Sequence, residues 1–370
     1  MNQNIATELT QFIKESPSAF HAVATMKKEF LNHGFTQLQE NERWNLNAGS
    51  SYFVTRNDSS IIAFTIPENS FDGMRIMASH SDSPSFKIKE NPEMEVEKQY
   101  IKLNVERYGG MIFSPWFDRP LSVAGRVIIK NPSTGKLESR LVNVDRDLVM
   151  IPNLAIHMNR EVNNGYKYNA QKDMLPLYGM STAKNTFMQT IAEAAGVSVD
   201  DILGHDLFLY NRERASIWGA SEEFVSAPQL DDLQCAFSSM KGFLSSEKNN
   251  YLALHCVFDN EEVGSGTKQG AASTFLKDTL RRINDGLGRT YEEYLMTLAG
   301  SFMISADNAH ALHPNYIEKA DPVNRPLPNG GIVIKYNANQ KYCTDAVSAA
   351  KFKDLCDRAG VKYQTFVNRS

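Results

Sequence analysis

Residues 74–86 read MRIMASHSDSPSF, an apolar run that stops abruptly at His80 and continues as a polar loop. Two later apolar runs stop in the same way, LALHCVF at 252–258 and FMIS at 302–305. The polar residues that follow the three runs are His80 and Asp82, then Asp259, Glu261 and Glu262, and finally Asp307 and His310. In open α/β sheets, ligands bind outside the carboxyl ends of the strands. The sequence therefore predicts one pocket rich in His, Asp and Glu.

Such a pocket suits one or two metal ions, because imidazole and carboxylate groups held on rigid elements are metal ligands. The adjacent Glu261 and Glu262 indicate a division of roles. One carboxylate can bind a metal ion, which lowers the pKa of a bound water to about 7, while its neighbour takes the proton. Each signal alone has a common alternative, since most histidines are not ligands and an Asp after a strand often caps a helix. Together with the Gly-rich loop after Glu262, they favour a metallohydrolase.

The chain-wide pattern predicts an α/β domain with a β-rich insertion. Residues 1–35 show two helical stripes, with Ser16 as the N-cap of the second helix, and residues 52–80 show strands. Short alternating segments, typical of antiparallel strands, dominate from about residue 88 to 225. Helix and strand patterns then alternate again. The predicted domains are an α/β domain of residues 1–88 and 229–370 and an inserted β-rich domain of residues 89–228.

Composition excludes several classes of protein. The 370 residues carry 39 Lys and Arg against 43 Asp and Glu, and this net charge of −4 excludes a strongly basic nucleic-acid binder. The four scattered cysteines form no CxxC pair, so neither a zinc knuckle nor a disulfide framework is expected. No apolar run approaches the ~20 residues of a membrane span, and the N-terminus has no apolar signal-peptide core. We expect a cytoplasmic protein without a nucleic-acid or membrane partner.

Eight segments spread over the chain carry a more specific signal. They are ESPSAFHAV (15–23), SHSDSPSFKIK (79–89), WFDRPLSVAGRVIIK (116–130), IPNLAIHMNR (151–160), SAPQLDDLQC (226–235), DNEEVGSGTKQGA (259–271), SADNAHALHPNY (305–316) and PVNRPLPNGGIVIKYNANQKYCTDAVS (322–348). In their residues and in their order along the chain, these segments resemble the aspartyl aminopeptidase and aminopeptidase I family of zinc metallopeptidases. The resemblance covers the whole chain and is highly specific.

The resemblance implies a mixed-sheet α/β/α di-zinc exopeptidase domain that is interrupted by a β-rich dimerisation domain. It implies a homo-oligomer, typically a dodecamer built from dimers, that removes N-terminal residues, often Asp or Glu, from peptide substrates. Two zinc ions are the implied cofactors, although carboxylate and imidazole ligands also suit manganese and cobalt.

Carried over by position, the resemblance also implies roles for individual residues. The implied metal ligands are His80, Asp231, Glu262 and Asp307. Asp231 would bridge the two ions, Glu261 would be the general base, and Asp82 would orient the ring of His80. His157 would reach a partner's active site to help bind substrate or stabilise the oxyanion, and Lys335 would bind an acidic substrate side chain. The alternatives are a packed or solvent-facing His157 and a Lys335 that extends into solvent.

One departure from the family concerns the last metal ligand. The family continues past the strand VKYQTFVN (361–368) to an Ala-Met-His segment, and none of the eight histidines here lies in such a segment. The resemblance therefore implies a C-terminally truncated chain whose second metal site lacks its histidine, so that the activity of these 370 residues alone stays open. Two other interpretations also stay open: an inactive relative that binds peptides or assembles with partners, and another di-metal hydrolase on the same fold.

Overall fold

The computed structural model describes residues 2–247 and 250–369, with side chains from residue 5 onward. The chain forms two compact units. The first unit comprises Met1–Trp218 and Phe224–Ala306, and the second comprises Gly219–Glu223 and Asp307–Ser370. Within the described residues, no helix is long and apolar enough to cross a membrane.

The helices and strands of the described residues have the following bounds. The helices are α1 (Asn2–Lys14), α2 (Ala19–Asn32), α3 (Ala170–Asp173), α4 (Phe187–Ala195), α5 (Leu230–Ser245), α6 (Phe275–Gly286), α7 (Tyr291–Ala299) and α8 (Ala346–Ala359). The strands are β1 (Thr36–Leu38), β2 (Ser51–Arg56), β3 (Ser60–Thr65), β4 (Met74–His80), β5 (Ser85–Val96), β6 (Tyr100–Tyr108), β7 (Leu121–Lys130), β8 (Leu137–Asn143), β9 (Leu177–Met180), β10 (Ile202–Asn211), β11 (Ser216–Trp218), β12 (Phe224–Ser226), β13 (Leu252–Phe258), β14 (Phe302–Ser305), β15 (Ile332–Tyr336) and β16 (Tyr363–Val367).

The first unit contains a six-stranded mixed sheet in the order β1-β2-β3-β13-β4-β14. Strand β4 lies between β13 and β14 and is parallel to both. Strand β3 is antiparallel to β2 and to β13. The three apolar runs that stop at polar residues are therefore adjacent parallel strands, and all three end at the same edge of the sheet.

This mixed sheet is buried on both faces. Ile61 and Ala63 of β3 lie in a core with side chains of α1, α2 and α5, whereas Ile62 and Phe64 lie in a second core with side chains of α6 and α7. A strand that is buried on both faces needs a continuous apolar run rather than an alternating one, and β3 reads SIIAFT. The resulting α/β/α layers confirm the predicted fold class.

A second six-stranded sheet of the first unit has the order β8-β7-β10-β5-β6-β9 and is antiparallel throughout. One face forms its own apolar core, in which Phe187 and Ile191 of α4 are fully buried. The opposite face carries charged side chains, among them Arg126, which donates to the Asn57 carbonyl of the β2–β3 turn at 2.8 Å. Alternating strands with one apolar face are what the sequence predicts here. The exact domain boundaries, 1–88 and 229–370 around 89–228, stay a prediction.

The second unit contains the parallel pair β15 and β16 with α8 between them in sequence. Helix α8 begins with a capping box, in which Asp345 and Ser348 bond each other's backbone amides. It ends at Gly360, which has a φ of 65° that favours glycine. Lys335 of β15 pairs with Phe366 of β16, so regular strand pairing fixes the position of its backbone in this two-stranded sheet.

The N-cap of α2 is Ser18, and the prediction of Ser16 is wrong. Ser18 is extended, with φ −151° and ψ 165°, and its Oγ accepts the His21 amide three residues further on. An N-cap needs this geometry, because its oxygen must face a free amide of the first helical turn. Ser16 is instead buried before Pro17.

His255, in the middle of β13, is a buried histidine in the core of the fold. It is completely buried, and its ring packs against those of Phe30 and Phe243 at centroid distances of 5.9 and 6.0 Å. The Ser239 hydroxyl lies 3.0 Å from Nε2. Burial lowers the pKa of His255 to about 4, because a charged ring loses its water there.

We predict that His255 makes the fold sensitive to acid. The unfolded chain binds a proton at His255 below pH 6.5, whereas the folded chain resists it down to about pH 4, so stability is lost as pH falls through this window. At pH 5 the loss is about 2 kcal/mol. In His255→Phe, which keeps a ring packed against Phe30 and Phe243, the melting temperature should fall less between pH 7.5 and pH 5 than in the unmodified chain. His33→Asn, at an exposed histidine, is the control, and equal falls in all three proteins would contradict the prediction.

Candidate metal centre

Strands β4 and β13 bring the first site residues to the same edge of the mixed sheet. They pair in parallel, with His80 at the end of β4 opposite Phe258 at the end of β13. The Ser81 amide donates to the Phe258 carbonyl at 2.8 Å, so the pairing extends one residue beyond β4. A short 3-10 turn that holds Glu261 and Glu262 follows directly. Parallel pairing thus places a histidine beside two carboxylates, as the sequence predicts.

The start of α5 brings two more carboxylates to His80. The backbone is irregular there: Asp231 and Asp232, joined by a cis peptide bond, lie outside helical geometry. Asp232 is fully buried, and its Oδ2 accepts the His80 amide at 3.1 Å. Asp231 has 56% of its side chain exposed, and its Oδ1 lies 3.4 Å from His80 Nε2. One carboxylate therefore holds the backbone of His80, and the other faces its ring.

Two groups of side chains that share His80 have the spacing of metal ligands. Ligand atoms of His80, Asp231 and Asp232 lie within 4.8 Å of one another, and so do ligand atoms of His80, Glu261 and Glu262. An imidazole with several carboxylates is a donor set that zinc accepts. The residues of the first unit therefore fit a metal ion.

The electrostatics of the site favour a positive charge at the same place. Burial raises the pKa of Glu262 to about 7, helped by the negative charges of Asp231, Asp82 and Glu261. Burial alone would lower the pKa of His80, but its hydrogen bonds to Asp231 and Asp82 and the nearby charges raise it to about 11. Several carboxylates in a partly buried site are costly unless a cation accompanies them. A proton on His80 or a metal ion can supply that charge.

Asp82 links the two sides of the site and is itself buried. Its Oδ1 lies 3.3 Å from His80 Nδ1, and its backbone carbonyl lies 3.0 Å from the same nitrogen. The amides of Glu261 and Glu262 donate to its two oxygens at 3.1 and 3.2 Å. Burial opposes the charge on Asp82, but the hydrogen bonds from His80 and Tyr108 outweigh it, so the pKa of Asp82 is lowered. An ionised Asp82 can thus hold both the ring and the turn.

The structure brings together five of the predicted site residues: His80, Asp82, Asp231, Glu261 and Glu262. Asp307 and Lys335 belong to the second unit, where Lys335 Nζ lies 3.2 Å from Asp307 Oδ2 and donates to the Asn308 carbonyl at 2.6 Å. His157 lies exposed in a short 3-10 turn of the first unit. The individual roles of all eight residues stay predictions.

Sequence reasoning missed Asp232, Tyr108 and Asn260. Asp232 follows Asp231 in LDDL, a pattern that reads as an ordinary helix start, and its burial is visible only in the fold. Tyr108 donates its hydroxyl to Asp82 Oδ2 at 2.7 Å, and Asn260 Nδ2 donates to the Tyr108 oxygen at 2.8 Å. Asn260 has a φ of 63°, a left-handed backbone that Asn tolerates well, so an Asn directly after a strand was the local signal for a turn here.

Comparison with known proteins gives a consistent result. Residues 12–370 match the family model described as aminopeptidase I zinc metalloprotease (M18). The chain is 47% identical over 371 residues to the "Probable M18 family aminopeptidase 2" of Clostridium acetobutylicum, and the match covers 99% of this chain and 86% of the relative.

Two solved structures extend the likeness to the fold. That of mApe1 from Chaetomium thermophilum has a TM-score of 0.91 at 29% identity, and the match covers 99% of this chain and 87% of that one. The S. cerevisiae mApe1 dodecamer has a TM-score of 0.86 at 26% identity, covering 99% and 86%. The predicted family and enzyme class are thereby confirmed. With a histidine and carboxylates gathered at the strand ends and a family match over nearly its whole length, the chain belongs to the aminopeptidase I (M18) family of zinc metalloproteases, which are metal-dependent aminopeptidases.

Proposed function

We propose that this chain removes the N-terminal residue of peptides, with a preference for Asp and Glu, at a two-zinc site. The observation that carries the proposal is the gathering of Asp231, Glu261 and Glu262 around His80 at the edge of the mixed sheet, in two ligand groups that share His80. Acidic residues are so numerous there that the site suits cations better than any neutral ligand.

His80, Asp231 and Glu262 are the proposed metal ligands of the first unit, and Asp307, in the second unit, is a proposed metal ligand on the family resemblance alone. Asp231 suits the bridging role, because its exposed carboxylate has a second oxygen beyond the one that faces His80. Bound zinc supplies Lewis acidity, which makes water a stronger acid and polarises the peptide carbonyl. Asp82 keeps the ring of His80 in place and selects which of its nitrogens faces the metal.

Glu261 is the proposed general base. Its side chain is 53% exposed and its Oε2 lies 4.0 Å from His80 Nε2, whereas neighbouring Glu262 is more buried. An exposed carboxylate beside the metal ligands can take a proton from the attacking water and return it to the leaving amine. The Asp82 oxygens accept the backbone amides of both Glu261 and Glu262. The backbone of the turn is therefore fixed, and each glutamate side chain starts from its own fixed position.

Lys335 is the proposed recognition group for an acidic substrate side chain. Its side chain is only 15% exposed, and Nζ lies 5.4 Å from the ring centre of Tyr342. The ammonium is held by Asp307 and Asn308, which use two of its three N–H groups. The third can donate to a substrate carboxylate, which would otherwise be costly to bury.

His157 and the β-rich residues 89–228 are the proposed means of assembly. His157 lies in an exposed turn beside Leu154, Ile156 and Met158, whose large apolar side chains are also exposed. Exposed apolar side chains of this kind are typical of surfaces that bind another protein. Since mApe1 of S. cerevisiae forms a dodecamer, we propose a homo-oligomer built from dimers, in which His157 enters the partner's site.

The activity is tested by hydrolysis of Asp and Glu p-nitroanilides with added zinc, manganese or cobalt. The assay compares the 370-residue chain with a version extended at its C-terminus by the segment that the family resemblance implies. Release of p-nitroaniline from free but not from N-acetylated substrates supports an aminopeptidase. Hydrolysis of N-blocked substrates would instead indicate another di-metal hydrolase, and metal binding without hydrolysis in both versions would indicate an inactive relative.

We predict that Glu261→Gln, in the version that shows activity, lowers kcat by about 10²–10⁴-fold, because proton transfer is lost. Zinc content should stay nearly unchanged. Glu262→Gln, in the same turn, is the contrasting variant and should lose zinc as well as activity. Full activity of Glu261→Gln would overturn the assignment of the base.

For Lys335→Met we expect a loss of about 2–5 kcal/mol in transition-state binding of Asp and Glu substrates, the cost of leaving one charge of a buried pair alone. Leu and Ala substrates should be spared. Lys353→Met, at a lysine 6.0 Å from the Tyr363 ring in the same unit, is the control. Equal losses on Asp and Leu substrates would show that Lys335 supports the fold rather than selectivity.

His157→Ala should lower kcat/KM by about 10²-fold, the scale for one lost oxyanion donor, without changing the size of the assembly. Light scattering measures the size and p-nitroanilide hydrolysis the rate, with the neighbouring Met158→Ala as the control. A fully active monomer would contradict both the assembly and the role of His157.

A further inference from the structure

Tyr108 connects the second sheet of the first unit to the metal centre carried by the mixed sheet. It is the last residue of β6, and its hydroxyl donates to Asp82 Oδ2 at 2.7 Å. The same hydroxyl oxygen accepts Asn260 Nδ2 at 2.8 Å. One hydroxyl thus joins the loop after β4 to the loop after β13.

Asn260 organises the loop that carries Glu261 and Glu262. Its Oδ1 accepts both the Thr267 hydroxyl and Gln269 Nε2 at 2.7 Å, which closes the loop on itself. Its Nδ2 donates to Tyr108, so this closed loop is fixed to the second sheet. The position of the two glutamates therefore depends on a contact outside their own loop.

The carboxylate of Asp82 is shared between the ring and the turn. Oδ1 lies beside His80 Nδ1 and accepts the Glu261 amide, while Oδ2 accepts the Glu262 amide and the Tyr108 hydroxyl. A carboxylate held by several donors has little freedom to rotate. Removing the hydroxyl leaves the Glu262 amide as the donor to Oδ2 and so holds the carboxylate less firmly.

The surroundings of Tyr108 allow its hydroxyl to be removed without breaking the core. The ring packs edge-on against Phe208 at 5.4 Å, a contact that Phe would keep. The side chain also borders a cavity of about 470 Å³ that Lys87 and Arg126 help to line. Tyr108→Phe therefore removes two hydrogen bonds and changes the packing little.

We propose that Tyr108 is a positioning residue for the metal centre, which acts through Asp82 on His80 and through Asn260 on the turn of Glu261 and Glu262. The inference rests on the proposed metal site and extends it by a residue from the other sheet. Partners of this kind, which hold the groups that bind a metal, are typically worth about 10–100-fold in metal affinity or activity. Tyr108→Phe should weaken zinc binding by that factor.

The test measures zinc affinity by competition with a chromophoric chelator on the full 370-residue chain. Tyr210→Phe is the matched control: its hydroxyl donates to Asn143 Oδ1 at 2.8 Å within the second sheet, away from the site residues named here. Cobalt added in place of zinc gives a visible spectrum that reports ligand geometry. That spectrum should shift in Tyr108→Phe and stay unchanged in Tyr210→Phe. Melting temperatures without metal show whether both variants fold equally well.

A double-mutant cycle tests the route of the effect. In an Asp82→Asn background, Tyr108→Phe should cost less zinc affinity than it does in the unmodified chain, because the route through Asp82 is already lost and only the route through Asn260 remains. Tyr108→Met repeats the test with a flexible side chain that adapts to the cavity, in case Phe fails to fold.

The outcomes separate this inference from the proposed function. Zinc binding by the unmodified chain, with affinity and cobalt spectrum of the Tyr108 variants equal to those of Tyr210→Phe, would overturn the inference alone. Full additivity in the double-mutant cycle would overturn the route through Asp82. An unmodified chain that binds no zinc would overturn both the inference and the proposed metal site.

Discussion

Parallel pairing between β4 and β13 is the constraint on which the site depends. Because the two strands run in the same direction with His80 opposite Phe258, the loops that follow them leave the sheet at the same edge. A single carboxylate, that of Asp82, then bonds the His80 ring and both glutamate amides of the next loop. An antiparallel β13 would place Glu261 and Glu262 at the opposite edge, where no such bond could form. The topology of the sheet thus decides which residues can share a metal.

The concentration of carboxylates around His80 is unfavourable for folding and favourable for binding cations. Burial and like charges raise the pKa of Glu262, which shows how poorly its charge is tolerated. Removing one partner from such a site leaves an uncompensated buried charge, so the arrangement is sensitive to loss of any cation. The apolar cores on both faces of the mixed sheet stabilise the fold and so offset this unfavourable electrostatic free energy. The neighbouring glutamates differ in burial, which suits their proposed roles of metal ligand for Glu262 and general base for Glu261.

The sequence predicted the parts of the site that have local signals. The abrupt ends of the apolar runs and the Glu261–Glu262 pair are visible without any fold, and the family resemblance added Asp231. Asp232 was missed because its burial results from an irregular start of α5 that no propensity rule predicts. Tyr108 was missed because it comes from another sheet, 152 residues before its partner Asn260. The misplaced cap at Ser16 shows the same limit, since Pro17 was taken as the first helical residue and the structure begins α2 at Ala19.

The proposed role of Tyr108 implies that docking of the second sheet and metal binding are coupled. Arg126 anchors the second sheet to the Asn57 turn with two hydrogen bonds, and Tyr108 joins the same sheet to Asp82. A metal ion that needs Asp82 in place is bound more tightly when the sheets are docked. By thermodynamic linkage, metal binding must then stabilise the docked arrangement by the same free energy. If residues 89–228 also carry the contact between subunits, then assembly and metal affinity share one structural route, which passes through the Tyr108 hydroxyl.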